Sequence, residues 1–271
     1  MHAAIPGGNM ARDRKPSRSR RARIAAASVA ALAIGGTALA EVPVSAAGRP
    51  KGHDVSSHQK NVNWSKAKSK GATFVYVKAT ESHTYRNPYY GQQYHGARNA
   101  GLVRGAYHFA LPHKSSGRTQ AAYFVRNGGG WRADGWTLPP ALDIEYNPYG
   151  KRKCYGLSKA RMVGWIKSFS DEVKRQTGRR PVIYTNYNWW KRCTGNSSAF
   201  ASNHALWLAR YGSTAGALPK GWTFWTFWQY DNGGSLPGDQ NLFNGSLSQL
   251  KKFAKGWGAL DHPLRQGTDG T

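Results

Sequence analysis

The sequence predicts an α/β chain closed into a single-domain β/α barrel. Three observations carry this. Short apolar runs alternate with longer polar, helix-compatible stretches, the pattern of a parallel sheet. Several runs are apolar or aromatic throughout, as strands are when helices cover their outer face. Seven such runs occur without a Gly-rich dinucleotide fingerprint, which favours a barrel over an open sheet.

In chain order, strands are expected at 52–55, 74–79, 103–110, 140–145, 182–185, 205–210 and 224–230. Helices are expected at 64–70, 89–100, 119–127, 158–176 and 246–255. The fourth helix is the clearest. Ser158 is a good N-cap, and Met162, Val163, Ile166, Phe169 and Val173 recur at helical spacing on one face. No fixed-period repeat divides the chain. With 271 residues and 39% hydrophobic content, one core of barrel size uses nearly all of it.

The N-terminus reads as an export signal. Arg12, Arg14, Lys15, Arg18, Arg20, Arg21 and Arg23 form a basic region, an Ala-dominated run follows at 24–40, and Ala38-Leu39-Ala40 supplies a cleavage site. That run is 17 residues, short for a membrane span, so no stable membrane insertion is expected. The expected organisation is an N-terminal extension and signal at 1–40, a linker at 41–51, a catalytic domain at 52–257 and a C-terminal tail at 258–271.

Charge narrows the partners. The chain carries 39 basic and 13 acidic residues; cleavage after Ala40 removes seven bases and one acid, leaving a net charge of +20. Such a balance implies an anionic partner. Nucleic acid is disfavoured by the export signal and by the lack of a recognised binding motif; a bacterial wall, with its carboxylates and polyanionic polymers, fits. Cys154 and Cys193 are the sole cysteines, both in the exported part, so a disulfide is expected. His53, His58, His83 and His108 show no metal-ligand spacing, and no nucleophile elbow suggests a serine hydrolase. Neither metal nor cofactor is expected, and a monomer is the default for an exported protein of this size.

Acids are scarce, so their positions inform. Pro140-Ala141-Leu142-Asp143-Ile144-Glu145 is a short strand ending in two carboxylates one residue apart, which strand alternation turns to the same face. In a parallel barrel that face opens at the C-terminal mouth, where function gathers. Glycosidic cleavage needs such a pair: one carboxyl to protonate the leaving oxygen, and an anion to support developing positive charge. Asp54 ends the first strand, and Asp239 lies in a turn-like Gly238-Asp239-Gln240-Asn241 segment after the last. Tyr107, Tyr184, Trp207, Trp225, Trp228 and Tyr230 are strand aromatics able to stack on sugars. Tyr107-His108-Phe109 is expected to line the barrel.

Together these residues resemble glycoside hydrolase family 25, the Chalaropsis-type lysozymes, over 52–257. The resemblance rests on an ordered set: Gly52-His53-Asp54-Val55-Ser56 with Gln59; Phe74 through Glu81; Gly105-Ala106-Tyr107-His108-Phe109; Leu142-Asp143-Ile144-Glu145; Pro181 through Thr185; Leu206-Trp207-Leu208-Ala209; Trp228-Gln229-Tyr230; and Asp239-Gln240-Asn241. It implies an irregular β/α barrel and hydrolysis of the β-1,4 bond between N-acetylmuramic acid and N-acetylglucosamine in peptidoglycan. It further implies Glu145 as general acid/base, Asp143 as the carboxylate orienting a participating 2-acetamido group, and Asp54 and Asp239 as supporting carboxylates. Tyr107, Tyr184, Trp228 and Gln229 match positions around the sugar. The family commonly has Gly after the position of Glu81, whereas this chain has Ser82, so that loop is expected to differ. It often carries wall-binding repeats, for which high positive charge is the expected substitute.

Two other readings compete. A chitinase-like glycosidase would also use an Asp-x-Glu pair with acetamido participation, but the longer Asp run it needs before Asp143 is replaced by Pro139-Pro140-Ala141-Leu142. A non-catalytic wall-binding protein has no need of paired acids.

Overall fold

A computed structural model describes residues 48–256; the expected signal, most of the linker and the expected tail fall outside the described residues. The elements run β1 (Lys51–Val55), α1 (Trp64–Ser69), β2 (Ala72–Glu81), β3 (Tyr85–Arg86), α2 (Tyr90–Asn99), β4 (Val103–Phe109), α3 (Gly117–Arg126), β5 (Ala141–Asp143), α4 (Lys159–Thr177), β6 (Val182–Thr185), α5 (Tyr187–Thr194), β7 (Leu206–Ala209), β8 (Phe227–Asp231), β9 (Asp239–Phe243) and α6 (Leu247–Ala254).

Strands β1, β2, β4, β5, β6, β7 and β8 pair in parallel in that order. All seven expected strands are among them. The seam is different: β9 pairs antiparallel with both β8 and β1, closing an eight-stranded mixed barrel. Asp239 therefore begins a strand instead of sitting in a turn, which corrects the sequence expectation. The two-residue β3 adds only an antiparallel flap to the end of β2. No helix joins β7 to β8, and α5 was not foreseen.

Side chains follow the two-residue period of each strand. One set faces the helices: Val75, Val77, Leu142, Ile144, Ile183, Leu206 and Leu208 share a buried cluster with Ala97, Phe124, Ile166, Phe169 and Trp189. The other set fills the barrel with rings: Phe74, Tyr76, Tyr107, Tyr184, Trp207, Phe227 and Phe243. Tyr76 stacks on Trp207 at 4.7 Å between centroids, and Tyr184 meets Trp207 edge-on at 4.8 Å. At the N-terminal end of the barrel α6 adds Leu250, Phe253 and Ala254 to this cluster, closing that end.

His108 departs from expectation. It lies on the helix side of β4, its ring nitrogens bonded to Thr80 Oγ1 (2.8 Å) and Gln120 Oε1 (3.0 Å), stacked on Phe169. Burial pushes its pKa down to about 3, so it stays neutral. Its neighbours point the other way: Tyr107 lies inside the barrel beside Trp207, and the Phe109 ring lies under Lys78 at the mouth.

Helix starts follow local chemistry. The side chains of Asn63, Ser116, Ser158 and Asn186 accept from the third following backbone N–H, and Ser246 with Gln249 forms a reciprocal capping box. Cys154 and Cys193 are bonded, their Cα atoms 5.4 Å apart. The bridge ties the loop after β5 to α5 and closes a loop worth about 4 kcal/mol in the chain-entropy view.

The ring-filled interior explains two glycines. A Cβ at Gly52 would overlap the Phe74 ring, and one at Gly105 the Tyr76 ring. Gly164, on the exposed side of α4, has open space around it. Gly105→Ala is expected to lower urea stability by about 1–3 kcal/mol through overpacking. Gly164→Ala should raise it by about 0.5–1 kcal/mol. Equal effects of the two changes would contradict this description of the interior.

Candidate active site

Above the aromatic filling, the barrel interior turns polar. Trp207 donates its indole N–H to Asn241 Oδ1 at 2.7 Å. An indole can only donate, so the Asn241 amide must present its NH2 to the other side, where it reaches Asp54 Oδ2 at 2.7 Å. Gln229 is oriented likewise. Its Oε1 accepts from Tyr184 Oη at 2.8 Å, and its Nε2 donates to Asp54 Oδ2 (2.9 Å) and Asp239 Oδ2 (3.1 Å). The belt Tyr184–Gln229–Asp54–Asn241–Trp207 crosses β6, β8, β1, β9 and β7.

Asp54 is buried, and burial followed by repulsion from Asp239 pushes its pKa well above the usual carboxylate range, against its two amide donors. Asp239 is pushed up to about 6 by burial and by Asp231.

Across the mouth, β5 ends at Asp143, and the chain stays in sheet geometry for one more residue through Ile144 N–H to Tyr184 O. Ile144 packs into the helix-side cluster. Asp143 and Glu145 consequently face the interior together, as alternation requires. Asp143 is buried, and its Oδ1 has no hydrogen-bond partner among the described residues. Burial, then repulsion from Glu145, raises its pKa well above the ordinary value. Glu145 is half-buried; burial and Asp239 push it up to about 7. The Tyr107 hydroxyl, also buried and unpartnered, feels all four carboxylates.

One cation opposes this negative field. Lys78 on β2 holds Glu81 at 2.6 Å, lies 4.9 Å over the Phe109 ring and lowers the pKa of both Asp143 and Glu145. It was not singled out from sequence, although a lone charge in the apolar run 74–79 is a visible signal. Tyr211 was also missed. It is 40% exposed, and its hydroxyl is perturbed by Asp239, Asp54, Glu145 and Asp143.

Trp228 does not join the site. Phe227 and Gln229 face inward, so Trp228 points to the other face of β8, packs on Trp225 and Tyr230, and donates to Arg210 O at 2.8 Å. Asp54, Asp143, Glu145, Asp239, Tyr107, Tyr184 and Gln229 converge at the mouth. His53 is turned outward, bonded to Pro237 O at 2.6 Å and tilted against Trp64. No cluster of His, Cys, Asp and Glu among the described residues is arranged to hold a metal.

The family model for glycosyl hydrolases family 25 matches residues 53–239. The chain belongs to this family, and is a glycoside hydrolase. It is 48% identical over 210 residues to the N,O-diacetylmuramidase of a Chalaropsis species, covering 76% of this chain and 99% of that one. It is 47% identical to Lysozyme M1 of Streptomyces globisporus, over 75% of this chain and 71% of that protein. The solved muramidase of Acremonium alcalophilum superposes with a TM-score of 0.75 at 51% identity, covering 77% of this chain and 100% of the other. Ser82, after Glu81, adopts φ 53, the left-handed region in which glycine is at ease.

A carboxyl whose folded pKa exceeds its unfolded value stabilises the native state at low pH, and that stability is lost as pH rises through the folded pKa. For Glu145 the window runs from the usual 4.5 to about 7. Glu145→Gln should melt with its parent near about pH 4 and progressively higher than it toward about pH 8. A melting difference that does not grow with pH would contradict the burial described for this carboxyl.

Proposed function

We propose that the chain is an exported muramidase that hydrolyses the β-1,4 bond between N-acetylmuramic acid and N-acetylglucosamine in peptidoglycan. One observation carries the chemistry: Glu145, a carboxyl held up to about 7, sits beside Asp143, a buried carboxyl with an unpartnered oxygen. The first is a proton donor at mildly acidic and neutral pH. The second lacks a hydrogen-bond donor, which the N–H of a substrate 2-acetamido group supplies.

In this reading Glu145 gives its proton to the glycosidic oxygen as the C1–O bond breaks. The acetamido carbonyl oxygen attacks C1 from the opposite face, and Asp143 accepts the acetamido N–H and stabilises its growing positive charge. Water then opens the cyclic intermediate and returns its proton to Glu145. Such substrate-assisted hydrolysis is a known departure from the two-carboxylate scheme. Asp54 and Asp239 add negative potential below the sugar, while Tyr107, Tyr184 and Gln229 line its cradle. Trp228 has no place in it, and Tyr211 takes the exposed rim.

The wall as substrate agrees with the relatives' names, with the basic and apolar segments at 12–40, and with a net charge of +20 after cleavage at Ala40. No helix among the described residues is long and apolar enough to cross a membrane. We take the signal to end at Ala40, the catalytic unit to span 52–257 and the enzyme to act as a monomer.

Digestion of purified peptidoglycan should yield new reducing ends on muramic acid, identified by mass spectrometry. Glu145→Gln is expected to reduce their rate by about 10²–10⁴-fold. Ends on glucosamine would overturn the bond assignment. The rate should fall as pH rises through about 7, where Glu145 loses its proton; a profile flat from about pH 4 to about pH 9 would remove it from the acid role.

A further inference from the structure

Charge is divided between the two ends of the barrel. Of the nine carboxylates among the described residues, Asp54, Glu81, Asp143, Glu145, Asp231 and Asp239 lie on or just past the mouth ends of strands. The other three are occupied. Asp134 accepts from Trp136 N, Thr137 N and Thr137 Oγ1; Asp171 pairs with Lys167 and Arg180; Glu172 pairs with Arg175 and Arg118. The remaining cations of the closed end therefore have no described carboxylate left to meet.

A cavity of about 300 Å³ opens there, beside the starts of β6 and β7. Lys174, Arg179, Arg180 and Asn203 line it above an apolar floor that includes Val182 and Phe253. Arg179 is set in place by packing: its guanidinium lies 5.5 Å from the Trp131 and Phe253 rings, and Nη1 donates to Gly256 O at 2.9 Å. Its Nη2 is buried and has no hydrogen-bond partner. At the end of α4, Lys174 O and Val173 O accept from Gly178 N–H and Thr177 Oγ1, and Lys174, Arg179 and Arg180 bring positive charge there.

We propose that this cavity is a second ligand site, taking a phosphodiester group of an anionic bacterial wall polymer while the mouth stays free for the glycan. Lys174 and Arg179, beside an Arg180 whose Nη1 is held by Ser170 and Asp171, give the cavity a positive lining that suits the oxygens of a phosphate. The volume admits the phosphate and part of its polyol. The site rests on the wall being the substrate, and supplies the retention that wall-binding repeats give other members.

The test is sedimentation with cell walls, performed in the Glu145→Gln background so that digestion does not remove the target. Walls carrying their phosphodiester polymer are compared with the same walls stripped of it by acid. Arg179→Gln is expected to weaken binding to intact walls by about tenfold or more, the loss of one or two charge-assisted hydrogen bonds. Lys174→Glu, at an exposed position that threatens no packing, should weaken it severalfold, and neither change should alter binding to stripped walls. Glycerol phosphate should compete, and inorganic phosphate more weakly. Equal binding of all variants to intact walls would overturn the proposal, and so would duplex DNA losing affinity in parallel, which would mark a general polyanion surface. With Glu145 restored, both variants should cleave stripped peptidoglycan at the parental rate. If the parent itself cleaves nothing, the muramidase reading fails while the binding result stands.

Discussion

The arrangement at the mouth depends on a buried carboxylate, Asp54, held by two side-chain amides whose orientation is dictated from behind. Trp207 can only donate, so Asn241 must turn its NH2 to Asp54; Tyr184 donates to Gln229, which turns its NH2 the same way. These bonds cross from β1 to β9 and β8, the seam where parallel pairing gives way to antiparallel. The belt thus joins the closure of the barrel to the placement of its acids. A fully connected polar network of this kind rigidifies what it spans.

Beneath the belt, the filling of rings leaves no room for water to shield the carboxylates. Four acids in such a place repel one another, and their proton affinities rise, most usefully for Glu145. Lys78 limits the effect from one side. The fold tolerates this concentration of acids because aromatic packing below and helix packing outside are extensive.

The seven parallel strands were legible because most of their residues are buried on both faces, so that they read as short runs dominated by apolar and aromatic residues between polar stretches. Strand β9 was not, for the same physical reason inverted. Its inward residues Asp239 and Asn241 face the polar belt, so Asp239-Gln240-Asn241-Leu242-Phe243 looks like a turn until its partners are known. Helix α5 hid behind the adjacent Trp189 and Trp190, both fully buried, which spoil the pattern of a one-faced helix. The carboxylate pair was readable from alternation alone, because Ile144 had to go to the helix side. The same rule misplaces Trp228 only when the motif is taken as a block: with Gln229 inside, its neighbour must face out. Lys78 was visible as an oddity, but its role needed Glu81 and Phe109 around it.

The bridge between Cys154 and Cys193 has a topological consequence. It makes α4, β6 and nearly all of α5 members of one covalent ring that also holds the end of the loop emerging from Glu145. A protease cutting once within that ring produces no free fragment. Both new ends remain attached to the barrel, and the segment carrying the acid keeps its neighbour. Damage at this part of the surface is thus made local and survivable by chain connectivity, independent of how tightly the cut segment packs.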